Sequence, residues 1–389
     1  MRLLKIKWLI LLSSLSSTAT LCSISSLCTR KDIEDNRKGC YETKISKGPY
    51  VWFVSENTAK IRWETEDSGC FTLKIGSENY SAYEEQFEVT FSGNRKEDIP
   101  GTRYMYNVTL STLEPGKNYE YLVGGVKGNF STAVTESNFK FVAIGDTLSM
   151  SEAFKKNIEN ILSEKPHFVV HLGDIQYYVH TDSWARIFAG LSPILTKTVF
   201  FTVPGNHEYE FSKDEYTQYY LRFFPYSPTG YYSFDYGMAH FTVINTEESI
   251  SEDSPQLKWL VEDLKTDKKW KIVLLHRPVF TQIYEDFAQS ILLPIFSSSK
   301  VNLVLSGHSH AYERFEYKDL YSEHKIHFIV SGGGGASLYY FTHKETMAKT
   351  VKAEVKYNIV VVEITNKITL RAIDHNKTVF DEFSIESEN

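Results

Sequence analysis

From about Ser46 to Thr135, short runs such as AKIRWET, FTLKI and EYLVGG alternate apolar and polar residues, the period of strands with one face on a core. After Phe139 the pattern changes. Unbroken apolar runs in FKFVAIGD, HFVVHLGD, TVFFTVPGNHE, WKIVLLH and NLVLSGHSH each end in a polar residue and alternate with stretches of helical period. Such runs read as strands buried on both faces in an α/β arrangement. Between the first two, SEAFKKNIENILSEK sets Phe154, Ile158, Ile161 and Leu162 on one helical face behind Ser151 as N-cap. SPQLKWLVEDLK opens likewise, with Ser254 as cap and Pro255 at the first helical position. Asp146 and Asp174 are 28 residues apart and Asp174 and Asn206 are 32 apart, each about one βαβ unit. The polar loops are therefore predicted to land side by side at the carboxyl edge of a sheet, where open α/β folds bind ligands. The expected fold class is an all-β sandwich over residues 46–136 followed by an α/β domain over residues 137–389.

A chain of 389 residues, 42% hydrophobic, is long enough for two cores. A net charge of -7 with pI near 6.0, and no segment that collects Lys and Arg, disfavours a nucleic-acid polymer as partner. MRLLKIKWLILLSSL places Arg2, Lys5 and Lys7 ahead of an apolar run, and no further charge comes before Arg30. Residues 1–28 read as a signal peptide and 29–45 as a charged linker. A retained membrane anchor is the alternative, disfavoured by the Ser and Thr of SSTATLCSISSLC. The expected location is outside the cytoplasm: secreted, periplasmic, or held on the outer side of a membrane through the signal or a lipid. Cys22 or Cys28 could carry that lipid, although Leu21 and Leu27 stand where lipoprotein signals have a small residue. Cys40 and Cys70 stay in a mature chain, and an oxidising compartment would permit them to pair. Sequons at Asn79, Asn107, Asn129 and Asn376 would be glycosylation sites in a eukaryotic host.

The strand-end loops supply Asp146, Asp174, Tyr177, Asn206, His276, His308 and His310, the donor inventory of a hard-to-borderline metal site. This half has no Cys cluster, no G-x-x-x-x-G-K-[ST] loop and no G-x-S-x-G elbow, which argues against structural zinc, P-loop nucleotide binding and an α/β-hydrolase nucleophile. The individual motifs differ in strength. Asp146 or Asp174 after a glycine reads as a turn as readily as a ligand, and His276 alone reads as a core histidine. GHSHAYER is stronger, because histidines two apart on extended backbone face the same side. The order and spacing of all five loops give the metal reading its force.

That ordered set, GD, GDxxY, GNHE, a strand-end histidine and GHxHxYER, resembles the calcineurin-like metallophosphoesterases and, among them, purple acid phosphatases. The likeness runs from about residue 46 to the end and includes NTE at Asn245–Glu247 and the glycine run Gly332–Gly335. LEPGKNYEYLV resembles the L-x-P-G-x-x-Y signature of fibronectin type III sandwiches, in which Tyr119 would close a corner and Trp63 would be core. The resemblance implies a four-layer α/β/β/α domain with two mixed sheets. In the wider superfamily the first motif is D-x-H. Here Leu148 takes the third position, and purple acid phosphatases, which lack that histidine, gain a tyrosine in the second motif, matched by Tyr177.

Carried over, the pattern implies one metal on Asp146, Tyr177 and His310, a second on Asn206, His276 and His308, and Asp174 bridging them. Tyr178 is the alternative to Tyr177. A phenolate suits Fe(III), leaving Fe(II), Zn(II) or Mn(II) for the second position. Two cations about 3.5–4 Å apart can hold a hydroxide that attacks phosphorus in line, with no covalent enzyme intermediate. The implied activity is acid phosphatase on small phosphate monoesters. A phosphodiesterase or nucleotidase of the same fold is the alternative, and an exported binding module with a vestigial metal site is a third. His207, next to Asn206, is the candidate proton donor to the leaving group, or a histidine that only orients a ligand. Arg277 either binds phosphate oxygens or pairs with Glu247 or Glu208. His180 either faces substrate or sits at the surface. His171 is expected to pack within its strand, and Glu313 and Arg314 to pair with each other. Plant members carry histidines in the loop after His276, whereas Val279–Gln289 offers Tyr284, Glu285 and Asp286 instead.

Overall fold

The computed structural model describes residues 41–89, 101–136, 138–148, 150–177, 181–209, 219–319, 324–342 and 346–387. Residues 1–40, with the expected signal peptide, Cys22, Cys28 and Cys40, and also Tyr178 and His180, lie outside these residues. Tyr41–Asn389 forms one compact unit.

The alternating stretch folds into two four-stranded antiparallel sheets. One runs Ile45–Val54, Ala59–Thr65, Gly101–Leu110, Tyr83–Val89, and the other Glu78–Ser81, Thr72–Ile75, Asn118–Val123, Val126–Ser131. Trp63 is fully buried, with the rings of Phe71 and Tyr106 at 5.5 and 5.7 Å. The Tyr119 hydroxyl accepts a hydrogen bond from the Glu114 amide at 2.9 Å, so the tyrosine closes the corner that LEPGKNY suggests. Cys70 is disulfide-bonded; Cys40, its expected partner, lies outside the described residues.

The sandwich is packed directly on the α/β half. Tyr50 is fully buried, its hydroxyl donates to the Phe223 carbonyl at 2.8 Å, and its ring lies 5.2 Å from Phe188 and 5.7 Å from Phe224. Trp52 meets Tyr226 edge-on at 5.4 Å. Each such aromatic, taken out of water, contributes about 2–3 kcal/mol, enough to fix the two halves against each other.

The buried runs build two mixed sheets. In the first, Val199–Thr202, Phe168–His171 and Phe139–Ile144 run parallel, and the C-terminal strands Asn358–Ile364, Lys367–Asp374 and Val379–Glu386 extend the sheet antiparallel. In the second, Ala239–Val243, Trp270–Leu274, Leu303–Ser306 and Lys325–Ser331 are parallel, flanked by antiparallel Tyr232–Tyr236, Tyr312–Lys318 and Lys349–Glu354. The sheets pack face to face through side chains such as Phe141, Phe168 and Phe241, whose rings meet at 5.1–5.5 Å. Helices Glu152–Glu164 and Thr181–Leu195 cover the outer face of the first sheet, and Pro255–Asp263 and Gln289–Ser298 that of the second, giving the expected four layers.

Both predicted caps form. Ser151 Oγ accepts from the Phe154 amide and Ser254 Oγ from the Leu257 amide, each at 3.1 Å, with Pro255 at the first turn. Because the central strands of both sheets are parallel, their carboxyl ends open onto a common edge.

Candidate metal centre

Asp146 follows the strand Phe139–Ile144, Asp174 follows Phe168–His171, Asn206 follows Val199–Thr202, His276 follows Trp270–Leu274 and His308 follows Leu303–Ser306. The backbone bends sharply at three of these donors: φ is +58° at Asp146, +55° at Asp174 and +66° at His308. Left-handed backbone at a non-glycine residue costs about 1–3 kcal/mol, and such strain concentrates at functional sites. The glycines before Asp146, Asp174, Asn206 and His308 admit the close approach. A Cβ on Gly205 would stand 2.4 Å from Asp174 Oδ1, and one on Gly307 would stand 2.6 Å from Asp146 Oδ2.

The donors converge. Ligand atoms of Asp174, His276 and His308 all lie within 4.8 Å of one another. His276 Nε2 is 3.1 Å from Asn206 Oδ1 and 3.4 Å from Asp174 Oδ1, while its Nδ1 hydrogen-bonds the Leu172 carbonyl at 2.8 Å. His310 repeats this wiring, with Nδ1 on the Ser337 carbonyl at 2.8 Å and Nε2 3.4 Å from Asp146 Oδ1. A carbonyl on one ring nitrogen fixes the tautomer and aims the other at the carboxylates, the usual arrangement of a ligating histidine.

The carboxylates share few protons with the fold. Asp146 Oδ2 accepts from the His308 amide at 2.8 Å, but Oδ1 is buried and takes no hydrogen bond among the described residues. A buried carboxylate oxygen left without a donor, among imidazoles and an amide oxygen, fits a cation.

Burial raises Asp146, with His310 opposing. Burial pushes Asp174 upward too, but His276 outweighs it and the net direction is down. His276 is pushed up to about 10: burial works against the charge, and Asp174 more than offsets it. His308 is held far below its ordinary range, first by burial and then by the charges of His276 and Arg277.

Tyr177 differs from the other six. It is 45% exposed, and its ring packs on His207 at 5.1 Å. Its carbonyl meets His207 Nδ1 at 3.1 Å. The His207 amide donates to Asp174 Oδ1 at 2.9 Å, and its partly exposed Nε2 is 3.9 Å from Asp174 Oδ2.

Arg277 forms the bidentate pair with Glu247 that sequence left open, at 2.8 and 3.0 Å, and also sets Nη1 3.3 Å from His308 Nε2. Its guanidinium is therefore clamped at the edge of the donor cluster. Asn245 steadies this clamp, its Oδ1 accepting from the Glu247 amide at 3.1 Å.

The expected Glu313–Arg314 pair is replaced by two long-range contacts. Glu313 accepts from Thr281 Oγ1 and the Gln282 amide, at 2.7 and 2.6 Å, and Arg314 holds Asp381 through two bonds at 2.8 and 3.1 Å. Successive residues of a strand face opposite sides, which separates the two side chains. His171 is packed as expected, buried with Nε2 3.0 Å from Thr147 Oγ1 and pushed down to about 3 by burial.

Sequence reasoning missed two supports. Glu208 is fully buried and accepts from the amides of Asp174, Ile175 and Gly205 at 2.9, 2.9 and 2.7 Å, tying the second and third loops together. Burial, then the charge of Asp174, raises its carboxyl to about 8 against the pull of those amides. The crowding of GNHE was the available signal. Tyr339 stacks on His310 at 4.1 Å and Tyr284 lies 4.7 Å from His308, with the two tyrosines edge to face at 5.8 Å. Nothing in the local sequence marks Tyr339 for that place.

Two facing mixed sheets with carboxylate, amide and imidazole donors on their common edge define the calcineurin-like metallophosphoesterase fold, and residues 139–312 match the family model of the calcineurin-like phosphoesterases. Among characterised proteins the chain is similar to purple acid phosphatases. It is 28% identical over 257 residues to purple acid phosphatase 22 of Arabidopsis thaliana, spanning 59% of this chain and 58% of that protein. It is 25% identical over 314 residues to probable purple acid phosphatase 20 of the same plant, spanning 74% and 73%. Among solved structures, the purple acid phosphatase PPD1 from yellow lupin (Lupinus luteus) seeds shares the fold, with a TM-score of 0.71 at 19% identity over 87% of this chain and 74% of that one.

Proposed function

We propose that the protein is an acid phosphatase that hydrolyses small phosphate monoesters at a dinuclear metal centre. The observation that supports this best is the convergence of Asp174, His276 and His308 within 4.8 Å beside the orphaned Asp146 oxygen. Homology to purple acid phosphatases points the same way. One cation would be held by Asp146, Tyr177 and His310, the other by Asn206, His276 and His308, with Asp174 shared. When bound, the metals supply Lewis acidity that activates water and offsets phosphate charge. Fe(III) at the tyrosine position, with Fe(II), Zn(II) or Mn(II) opposite, fits the donor types.

The chain's own residues do the rest. Arg277, clamped by Glu247 next to His308, presents a fixed guanidinium to phosphate oxygens. His207 faces solvent beside Asp174 and donates the proton that the departing alkoxide needs. Export from the cytoplasm accords with the charged-then-apolar N-terminal pattern and with the disulfide at Cys70, a bond that oxidising compartments favour. No helix among the described residues is long and apolar enough to cross a membrane.

Hydrolysis of p-nitrophenyl phosphate before and after chelation tests the reading. Activity should vanish with the metals and return on reconstitution, and activity that survives complete metal removal overturns it. A visible tyrosinate-to-iron band in the active protein is the expected sign of Tyr177 and Fe(III); an active, colourless, iron-free protein excludes that assignment.

A further inference from the structure

Next to the donor cluster lies a groove of about 410 Å³, of whose lining the phosphatase reading uses only Tyr177. Leu148, Met150 and Ile187 give it apolar walls, and Gln176, Tyr177, Ser183 and Arg186 line the rest. Its floor is built from the donor loops themselves. Leu148 comes two residues after Asp146, has φ +34°, and donates its amide to the Asp174 carbonyl at 3.4 Å. Gln176 Nε2 donates to the His207 carbonyl at 3.2 Å and its Oε1 accepts from Ser183 Oγ at 3.2 Å, so the groove shares its floor with the backbone of the candidate proton donor.

Two features give the groove a chemical preference. Leu148 puts hydrocarbon at the position of a superfamily histidine. Met150, 40% exposed, is laid along the helix Thr181–Leu195, where its Sδ would stand 2.4 Å from a Cβ on Gly190. An exposed methionine and a leucine beside a polar reaction centre form the kind of mixed lining that orients a ligand with a polar head and an apolar body.

We propose that this groove receives the hydrocarbon part of the substrate's alcohol, so that the enzyme favours phosphomonoesters of medium-chain or aryl alcohols over those of small hydrophilic ones. The inference rests on the phosphatase reading for its catalytic consequence. Water adds to phosphorus, the P–O bond to the alcohol breaks with its electron pair on that oxygen, and His207 supplies the proton. Gln176, which lines the groove, holds the His207 carbonyl, and this sets the groove beside the group that protonates the departing alcohol.

Straight-chain n-alkyl phosphates from ethyl to octyl test this, because their leaving alcohols hardly differ in acidity. The metal-loaded protein should show kcat/KM rising about two- to fourfold per methylene until the groove is filled, the range expected for partly to fully buried methylenes. Calorimetry with the non-hydrolysable ethyl- and octylphosphonates should show the same order in affinity. Met150→Ser should flatten both trends, and Val261→Ser, on a distant helix, should leave them standing. Affinity and turnover independent of chain length overturn the groove while sparing the phosphatase reading. Affinity that rises with chain length without turnover of any ester upholds the groove and overturns the phosphatase reading.

Discussion

Two clusters on the seven-stranded sheet combine histidine with aspartate, and they are wired in opposite ways. At the carboxyl edge, His276, just past Trp270–Leu274, ties Nδ1 to a main-chain carbonyl and leaves Nε2 facing Asp174 and Asn206. At the amino end of the neighbouring strand, Ala239–Val243, His240 spends both nitrogens on carboxylates, Asp235 at 2.7 Å and Asp263 at 3.0 Å. The first arrangement anchors one nitrogen on the main chain and turns the other toward the donor cluster, where a bound cation would displace its proton; the second fastens both nitrogens to carboxylates and holds an imidazolium. Residue type therefore does not identify a metal site. What distinguishes the two is where the second nitrogen goes, and the strand end decides that, because only there do loop carbonyls and left-handed turns surround the ring.

The contrast predicts a graded series of effects on turnover. Asp174→Ala removes the carboxylate on which the convergence depends and should lower kcat/KM for p-nitrophenyl phosphate by roughly 10³-fold or more, with loss of bound metal by elemental analysis. A variant with full metal and near-normal turnover would place Asp174 on the structural side of the comparison.

Glu208→Gln keeps the shape but cannot accept all three amides. It should cost about 10- to 100-fold in turnover or metal affinity, the range of groups that orient ligands, and lower the melting temperature as well. Arg277→Lys retains charge without the fork and should raise KM about tenfold with little change in kcat. If its pairing with Glu247 is purely structural, the melting temperature falls and KM does not move.

His240→Gln, at the other cluster, should leave turnover unchanged and alter only the pH dependence of stability. Burial pushes His240 down, but Asp235 and Asp263 outweigh it and raise it to about 9. A histidine raised on folding stabilises fully below its unfolded value near 6.5, and that stability fades as pH climbs through 9. Thermal melts should therefore show the wild type losing on the order of 2 kcal/mol between about pH 6 and 10, a loss the variant lacks. Equal slopes in the two proteins would remove the imidazolium from the comparison.

The two regions also differ in how far they could be read beforehand. Asp146, Asp174, Asn206, His276 and His308 were legible as a set because each ends an apolar run, and parallel strands bring such ends together. The His240 cluster was not, since its carboxylates come from Asp235 on the paired strand and Asp263 on a helix, joined only by register and packing. Tyr177 lies between these cases. Its motif position was legible, but its half-exposed placement against His207 depends on a loop with no strand to fix it.

The sequence by itself determined the elements and the order of the loops, because hydrophobic period, caps such as Ser151 and Ser254, and the glycines before Asp146, Asp174, Asn206 and His308 act within a few residues. Only the tertiary structure decided that Tyr50 anchors the sandwich on Phe223, that Arg314 chooses Asp381 over Glu313, that Glu208 gathers three amides and that Leu148 and Met150 border a groove. Those outcomes depend on which distant surfaces meet and in what register, and the free energy of such contacts exists only once the chain has closed the loops between them.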